Sequence, residues 1–199
     1  MCKNYIVAIT GASGSIYGIR LVEELLKAES NVSLVVSDTG KKVLLHETGL
    51  DLCGSEQWAI KNVAKCFGTN NHVSLLDNHN LFASIASGSH INDGMIVVPC
   101  SMGSLSRFAT GSSQNLIERA VDVMLKEKRR LILVPRETPF NQVHLENMLK
   151  LSRMNVDITP AMPAFYQKPR SAEDLINFVV GKILDLLGTE HQLFERWSG

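Results

Sequence analysis

The chain has 199 residues, 45% hydrophobic and 20% charged, which suits one globular domain with a sizeable core. Its 20 basic and 20 acidic side chains cancel, so no overall field favours nucleic acid or a membrane surface, and any anion site must be local. Cys2, Cys53, Cys66 and Cys100 form no CxxC pair, and no apolar run approaches the roughly 18 residues of a membrane span. With no leader pattern ahead of the first strand, the expectation is a cytoplasmic protein without structural zinc or disulfides.

In chain order, the β-branched, uncharged run 5–10 reads as a buried parallel strand. Gly11 and Gly14 form a turn, and a helix opens near Ser15 and runs through Ala28 on a stripe of Ile16, Ile19, Val22, Leu25 and Leu26. A strand at 32–36 ends at Ser37-Asp38, and a short helix carries 43–46 with Glu47 just before Gly49. The stretch 51–92 is the least regular, turn-rich at Asn70-Asn71, Asp77-Asn78 and Asn80, with a short strand at 73–76. An apolar run at 94–99 predicts a central strand that breaks into Cys100-Ser101-Met102-Gly103-Ser104, with a helix following to Gly111. Then come a helix over 114–128, a strand at 131–134, a helix over 142–153, a short strand at 156–159, a proline-punctuated loop and a final helix over 172–187. This alternation predicts a three-layer α/β fold on a mostly parallel, Rossmann-like sheet, with ligands beyond the carboxyl ends of the strands.

Three polar turns fall at that edge, 11–15, 100–104 and 136–138, joined by Ser37. The free N–H groups at the start of the first helix point towards an anion, which predicts a phosphate-bearing ligand there; an ordinary strand-to-helix connection is the alternative. The spacing is wrong for G-x-G-x-x-G, because residue 13 is serine. No tyrosine stands four residues before a lysine, as short-chain dehydrogenases require, no nucleophile elbow is present, and the six histidines form no metal-ligand cluster. Arg119 and Lys126 lie two helical turns apart on nearly one face, with Asp122 between them, so they read as phosphate ligands or as a solvated ion-paired face. Arg136 and Glu137 follow a buried strand between Pro135 and Pro139, where an arginine can fork onto phosphate and a carboxylate can relay a proton. The loop 160–169 presents Phe165 and Tyr166 as the wall of an apolar pocket or as core filling, and Trp197 can cap a site.

Several motifs in order resemble the UbiX-type flavin prenyltransferases. They are Thr10-Gly11-Ala12-Ser13-Gly14, Ala86-Ser87-Gly88-Ser89, Val98-Pro99-Cys100-Ser101-Met102-Gly103, Asn115-Leu116-Ile117-Glu118-Arg119-Ala120, the run 133–139 continuing into 144–149, and Pro163-Ala164-Phe165-Tyr166. The resemblance covers nearly the whole chain apart from the region around 51–80.

The resemblance implies one flavin-binding domain over 1–199, whose C-terminal helix and tail, about 172–199, complete the oligomer interface and active site. It implies a homododecamer and a metal-independent transfer of the dimethylallyl group of dimethylallyl phosphate to N5 and C6 of reduced FMN. The product, prenylated FMN, would serve UbiD-type decarboxylases, in ubiquinone biosynthesis among other roles. FMN contacts would come from Gly11, Ala12, Ser13, Ser37, Ser101, Met102, Gly103, Ser104 and Arg136. Prenyl-phosphate contacts would come from Ser87, Gly88, Arg119, Lys126, Glu137, Tyr166 and Lys182, some across an interface. Ser13 and Glu137 would assist proton transfer, Glu47 would sit near the flavin, and Trp197 would face the allyl group. Many relatives carry arginine at 182, where lysine keeps the charge and loses the fork. Two alternatives remain open on the sequence. One is an FMN-dependent cysteine decarboxylase of the same fold, against which Pro163 stands where that family's block has asparagine. The other is a non-catalytic flavin carrier.

Overall fold

In a computed structural model describing residues 2–68 and 72–196, six parallel strands form one sheet. The strands are β1 (Asn4–Ile9), β2 (Asn31–Val36), β3 (Val73–Leu76), β4 (Gly94–Cys100), β5 (Leu131–Pro135) and β6 (Asp157–Ile158), and they lie in the order β3-β2-β1-β4-β5-β6. The mostly parallel sheet expected from sequence is parallel at every pairing. Strands β1, β4 and β5 are apolar and buried on both faces, as a sheet covered on two sides requires.

Two helical layers cover the sheet. Helices α1 (Ser15–Lys27), α2 (Asp38–Thr48), α3 (Glu56–Phe67) and α7 (Ala172–Leu187) pack on the face carrying Val7, Ile9, Leu34 and Val98. Helices α4 (Met102–Thr110), α5 (Leu116–Lys126) and α6 (Gln142–Ser152) pack on the face carrying Ile6, Ala8, Val35 and Val97. Alternation along each strand sends successive side chains to opposite layers. In α7, Val180, Ile183 and Leu184 are fully buried; each such side chain contributes about 2 kcal/mol of transfer free energy. Gly18 lets α1 approach β4, since a Cβ there would stand 2.7 Å from the Val98 carbonyl oxygen.

The regularity of 51–68 differs from the sequence reading, which left it irregular. Helix α3 occupies it, capped by Ser55, whose Oγ accepts the Trp58 N–H. It buries only Ala59 and Val63, a stripe too thin to stand out as periodicity. The polar turn at Asp77-Asn78 does more than reverse the chain. The Asn78 carbonyl accepts the Leu116 N–H at 2.8 Å, and its Oδ1 accepts the Ile117 N–H at 3.2 Å. A buried asparagine from the β3 side thereby satisfies the start of α5.

Candidate active site

β1 and β4 are adjacent in the sheet, while the chain between them runs out through β2 and β3; this is the point where strand order reverses, and parallel sheets bind ligands beyond the carboxyl ends at such a point. The ladder continues past the strands at this edge. Ser37 N donates to Ile9 O at 3.0 Å, Thr10 N to Pro99 O at 3.2 Å, Arg136 N to Cys100 O at 3.3 Å, and Ala161 N to Pro135 O at 3.0 Å. The turns holding Gly11, Ala12 and Ser13, then Ser37, then Ser101, Met102, Gly103 and Ser104, then Arg136 and Glu137, are therefore knit into one rim.

Thr10 fastens the centre of that rim. Its buried hydroxyl donates to Pro99 O at 2.8 Å and accepts the Ser101 N–H at 2.7 Å. Sequence reasoning missed this role, because its partners lie about ninety residues away and the contact depends on β1 and β4 being neighbours.

The opening turn is not an empty anion cradle. The Glu47 carboxylate, from the last turn of α2, accepts Gly14 N–H at 3.0 Å and Ser15 N–H at 2.9 Å. Gly14 has no capping side chain of its own, so Glu47 supplies from α2 the negative charge that the α1 dipole favours. Partial burial works to raise the Glu47 pKa, but the Ser13 hydroxyl and the two main-chain donors together hold it below the ordinary carboxylate value. The expected anion at this turn is thus the protein's own carboxylate.

The α4 turn keeps its donors for something else. Ser101 caps the helix, its Oγ accepting Ser104 N–H at 3.2 Å, while the first-turn N–H groups of Met102 and Gly103 have no acceptor within the helix. The approach to Gly103 is open: a Cβ there would meet only Arg107 Nη1, at 3.7 Å. Arg107 donates from Nη2 to Ser104 Oγ at 3.3 Å and from Nε to the buried Glu118 carboxylate at 2.6 Å. Burial works to raise the Glu118 pKa, yet bonds from Ser112, Gln114 N–H, Arg107 and Asn115 hold it below the ordinary carboxylate value. Ser37 caps α2 in the same way, accepting Gly40 N–H at 3.1 Å. Burial pushes the Cys100 thiol far above its ordinary range, so it is no nucleophile at neutral pH.

Arg136 and Glu137 do not pair with each other. Arg136 Nε donates to Ser13 O at 3.2 Å, and Glu137 Oε1 accepts Thr138 N–H at 3.0 Å. Tyr17 lies beneath: burial raises its pKa, and the nearby Arg136 charge opposes that shift. Beside them a cavity of about 320 Å³ is lined by Arg136, Glu137, Phe140, Pro160 and Met162. On the loop 160–169, Phe165 is 71% exposed rather than core filling, and Tyr166 meets Phe178 of α7 edge-on at 5.8 Å.

Ser87, Gly88, Arg119 and Lys126 form a second group. The loop after the 3₁₀ turn Ser84–Ala86 lies against α5: Arg119 Nε donates to Ala86 O at 3.0 Å, and a Cβ on Gly88 would stand 2.8 Å from Lys126 Nζ. Arg119 also pairs with Asp122 at 2.7 Å and Lys126 with Glu127, so the ion-paired reading of this helix face holds alongside its proximity to the loop. Lys182 does not join them. It sits on α7, in the opposite helical layer from α5, with Nζ 3.6 Å from Asp185. Asp185 is also engaged by Arg196 at 2.8 Å and by His191. Its burial acts to raise the pKa, and the hydrogen bonds from Arg196 and His191 lower it below the ordinary value. Trp197 lies outside the described residues. Among the described residues, no three His, Cys, Asp or Glu side chains gather as metal ligands, and no helix is long and apolar enough to cross a membrane.

Comparison with known proteins converges on one family. The family model described as Flavoprotein matches residues 2–184. The flavin prenyltransferase UbiX of Halalkalibacterium halodurans is 55% identical over 194 residues, covering 98% of this chain and 93% of that protein. A crystal structure of AnUbiX (PadA1) in complex with FMN and dimethylallyl pyrophosphate superposes with a TM-score of 0.90 at 39% identity, covering 100% of this chain and 99% of that one. A dodecameric FMN-dependent UbiX-like decarboxylase from Escherichia coli O157:H7 superposes with a TM-score of 0.88 at 40% identity, covering 98% and 100%. Matched over nearly its whole length by these proteins at 39–55% identity, the chain belongs to the UbiX-type flavin prenyltransferases.

Proposed function

We propose that this chain joins the dimethylallyl group of dimethylallyl phosphate to N5 and C6 of reduced FMN, releasing phosphate. The observation that carries this reading is the pairing of two separate donor groups. One is the rim of hydroxyl, main-chain and guanidinium donors at the strand ends; the other is the loop of Ser87 and Gly88 with the α5 cations Arg119 and Lys126 against it, which exceeds what a flavin alone needs. The rim fits FMN: unsatisfied N–H groups at Met102 and Gly103, the capping hydroxyl of Ser37, open space over Gly103 and the Arg136 guanidinium form a donor set for a planar, acceptor-rich, phosphorylated group.

Bound reduced FMN would supply the electron-rich ring nitrogen that the allylic carbon joins. Gly11, Ala12, Ser13, Ser37, Ser101, Met102, Gly103, Ser104 and Arg136 hold and orient it. Ser87, Gly88, Arg119, Lys126, Glu137, Tyr166 and Lys182 receive the prenyl phosphate, and the cations among them stabilise charge as it builds on the leaving group. Tyr166 and Trp197 offer π faces to the allylic carbon as it becomes cationic. Glu137, with Oε1 held by Thr138, keeps Oε2 for the proton lost when the ring closes, while Ser13 and Glu47 hold a hydroxyl and a carboxylate at the same rim. No step in this scheme calls for a metal.

Lys182 and Lys126 occupy opposite layers of one chain, so a site using both is completed by a second copy. A homododecamer, in which the helix and tail from 172 onward close the site of a neighbour, accounts for this. The prenylated FMN passes to UbiD-type decarboxylases, and the enzyme works in the cytoplasm. Anaerobic mixing with reduced FMN and dimethylallyl phosphate tests the scheme: inorganic phosphate should appear only when both are present, and its absence from folded, FMN-binding protein would contradict it.

A further inference from the structure

The loop 87–90 has no strand or helix to fix its path, yet its carbonyl groups are held from the turn that follows α5. Arg129 Nη1 donates to His90 O at 2.6 Å, and Arg129 Nη2 donates to Gly88 O. Arg119 holds Ala86 O one step earlier, and within the loop the Ser87 and Ser89 hydroxyls bond at 2.8 Å. Two carbonyls converging on one guanidinium need two donors in a fixed plane. Arginine provides that fork, and a lysine ammonium does not. Arg129 meets carbonyls where a surface arginine would meet a carboxylate, and the nearby acid Glu127 is engaged by Lys126. Gly88 is also confined: a Cβ there would collide with the Glu127 carboxylate and crowd Lys126 Nζ at 2.8 Å.

We propose that Arg129 is a positioning residue for the phosphate end of the substrate. By gripping Gly88 and His90 it fixes the main-chain path through 87–90, aims the Ser87 and Gly88 donors, and keeps the loop against Lys126. The inference rests on the proposed role of Ser87, Gly88 and Lys126 in binding the prenyl phosphate. Arg129 itself touches neither reactant.

The test compares Arg129→Lys, Arg129→Gln and Gly88→Ala with the unaltered protein, measuring FMN binding by flavin fluorescence, inorganic phosphate binding by calorimetry, and KM and kcat for dimethylallyl phosphate. Loss of the fork should raise KM and the phosphate Kd about tenfold in Arg129→Lys and Arg129→Gln, with FMN Kd and kcat within about threefold of the original. Gly88→Ala, which displaces Lys126 directly, should likewise raise KM and the phosphate Kd with FMN Kd within about threefold, and should lower kcat as well. Unchanged KM and phosphate Kd in Arg129→Lys or in Gly88→Ala would overturn the proposal, as would parallel loss of FMN and phosphate binding, which marks a purely structural role. If the unaltered protein neither binds phosphate nor turns over, the reading of the site itself fails instead. Should Arg129→Gln not fold, Arg129→Lys and Gly88→Ala carry the test.

Discussion

The Glu47 carboxylate closes the N-terminus of α1 by accepting the Ser15 N–H at 2.9 Å and the Gly14 N–H at 3.0 Å. An acid from one helix thus fixes the turn that opens another, directly beneath the strand-order reversal. Its folded pKa is depressed, so its stabilising contribution is fully present above the ordinary carboxylate value and is lost as pH falls through the folded value. Glu47→Gln should cost about 0.5–1 kcal/mol at neutral pH, at the lower end of capping effects because the side chain is exposed. Denaturant titrations at pH 7 and in acid should show the difference from the original protein shrinking as pH falls. A constant difference would contradict the role.

Glu118 provides the buried counterpart. Its lowered pKa has the same sign, so its contribution also disappears on acidification through the folded value. Glu118→Ala leaves the Ser112 hydroxyl, the Gln114 N–H and the Arg107 guanidinium without their acceptor and should cost about 2–3 kcal/mol at pH 7. Urea unfolding would show it as a lower midpoint at unchanged slope. Loss of Arg107 restraint on Ser104 should also weaken FMN binding, readable in the same preparations by fluorescence.

Thr10→Val keeps the shape of the side chain and removes both of its hydrogen bonds. It should destabilise the protein by about 1–3 kcal/mol, because the Ser101 N–H is left unpaired near the centre of the rim and the Pro99 carbonyl keeps only the main-chain N–H of residue 10. FMN affinity should drop with it. Thr10→Ser restores both bonds and should recover most of the affinity; equal affinities for the two variants would count against the cross-link.

Lys182→Ala tests completion of the site by a second copy. KM for dimethylallyl phosphate should rise about tenfold with FMN binding unchanged, as expected for loss of one charge contact to phosphate. Mixing Lys182→Ala with Lys126→Ala under conditions of subunit exchange should restore a fraction of sites carrying both cations. Absence of any recovery would show that the two lysines do not share a site.

Much of the fold is legible in the sequence, because buried parallel strands and capped amphipathic helices carry local signals. The final helix matches over Ala172–Leu187, where Ser171 and Asp174 form a capping box, and the strand Val73–Leu76 lies where expected. Helix α3 escaped because two buried residues give no readable stripe, although Ser55 before it and Gly68 after it were signals available to find it. The rim residues stood out through the turns that end the strands. The partners of Thr10, Glu47 and Arg129 did not, since each depends on which strands and helices are neighbours, and no local pattern encodes that.

The most direct measurement is the mass of the flavin recovered after anaerobic incubation of the protein with reduced FMN and dimethylallyl phosphate. A flavin prenyltransferase should return FMN heavier by one dimethylallyl-derived group, formed with the unaltered protein and severely slowed in Glu137→Gln, which should still bind FMN. Recovery of unmodified FMN alone from folded protein would contradict that activity.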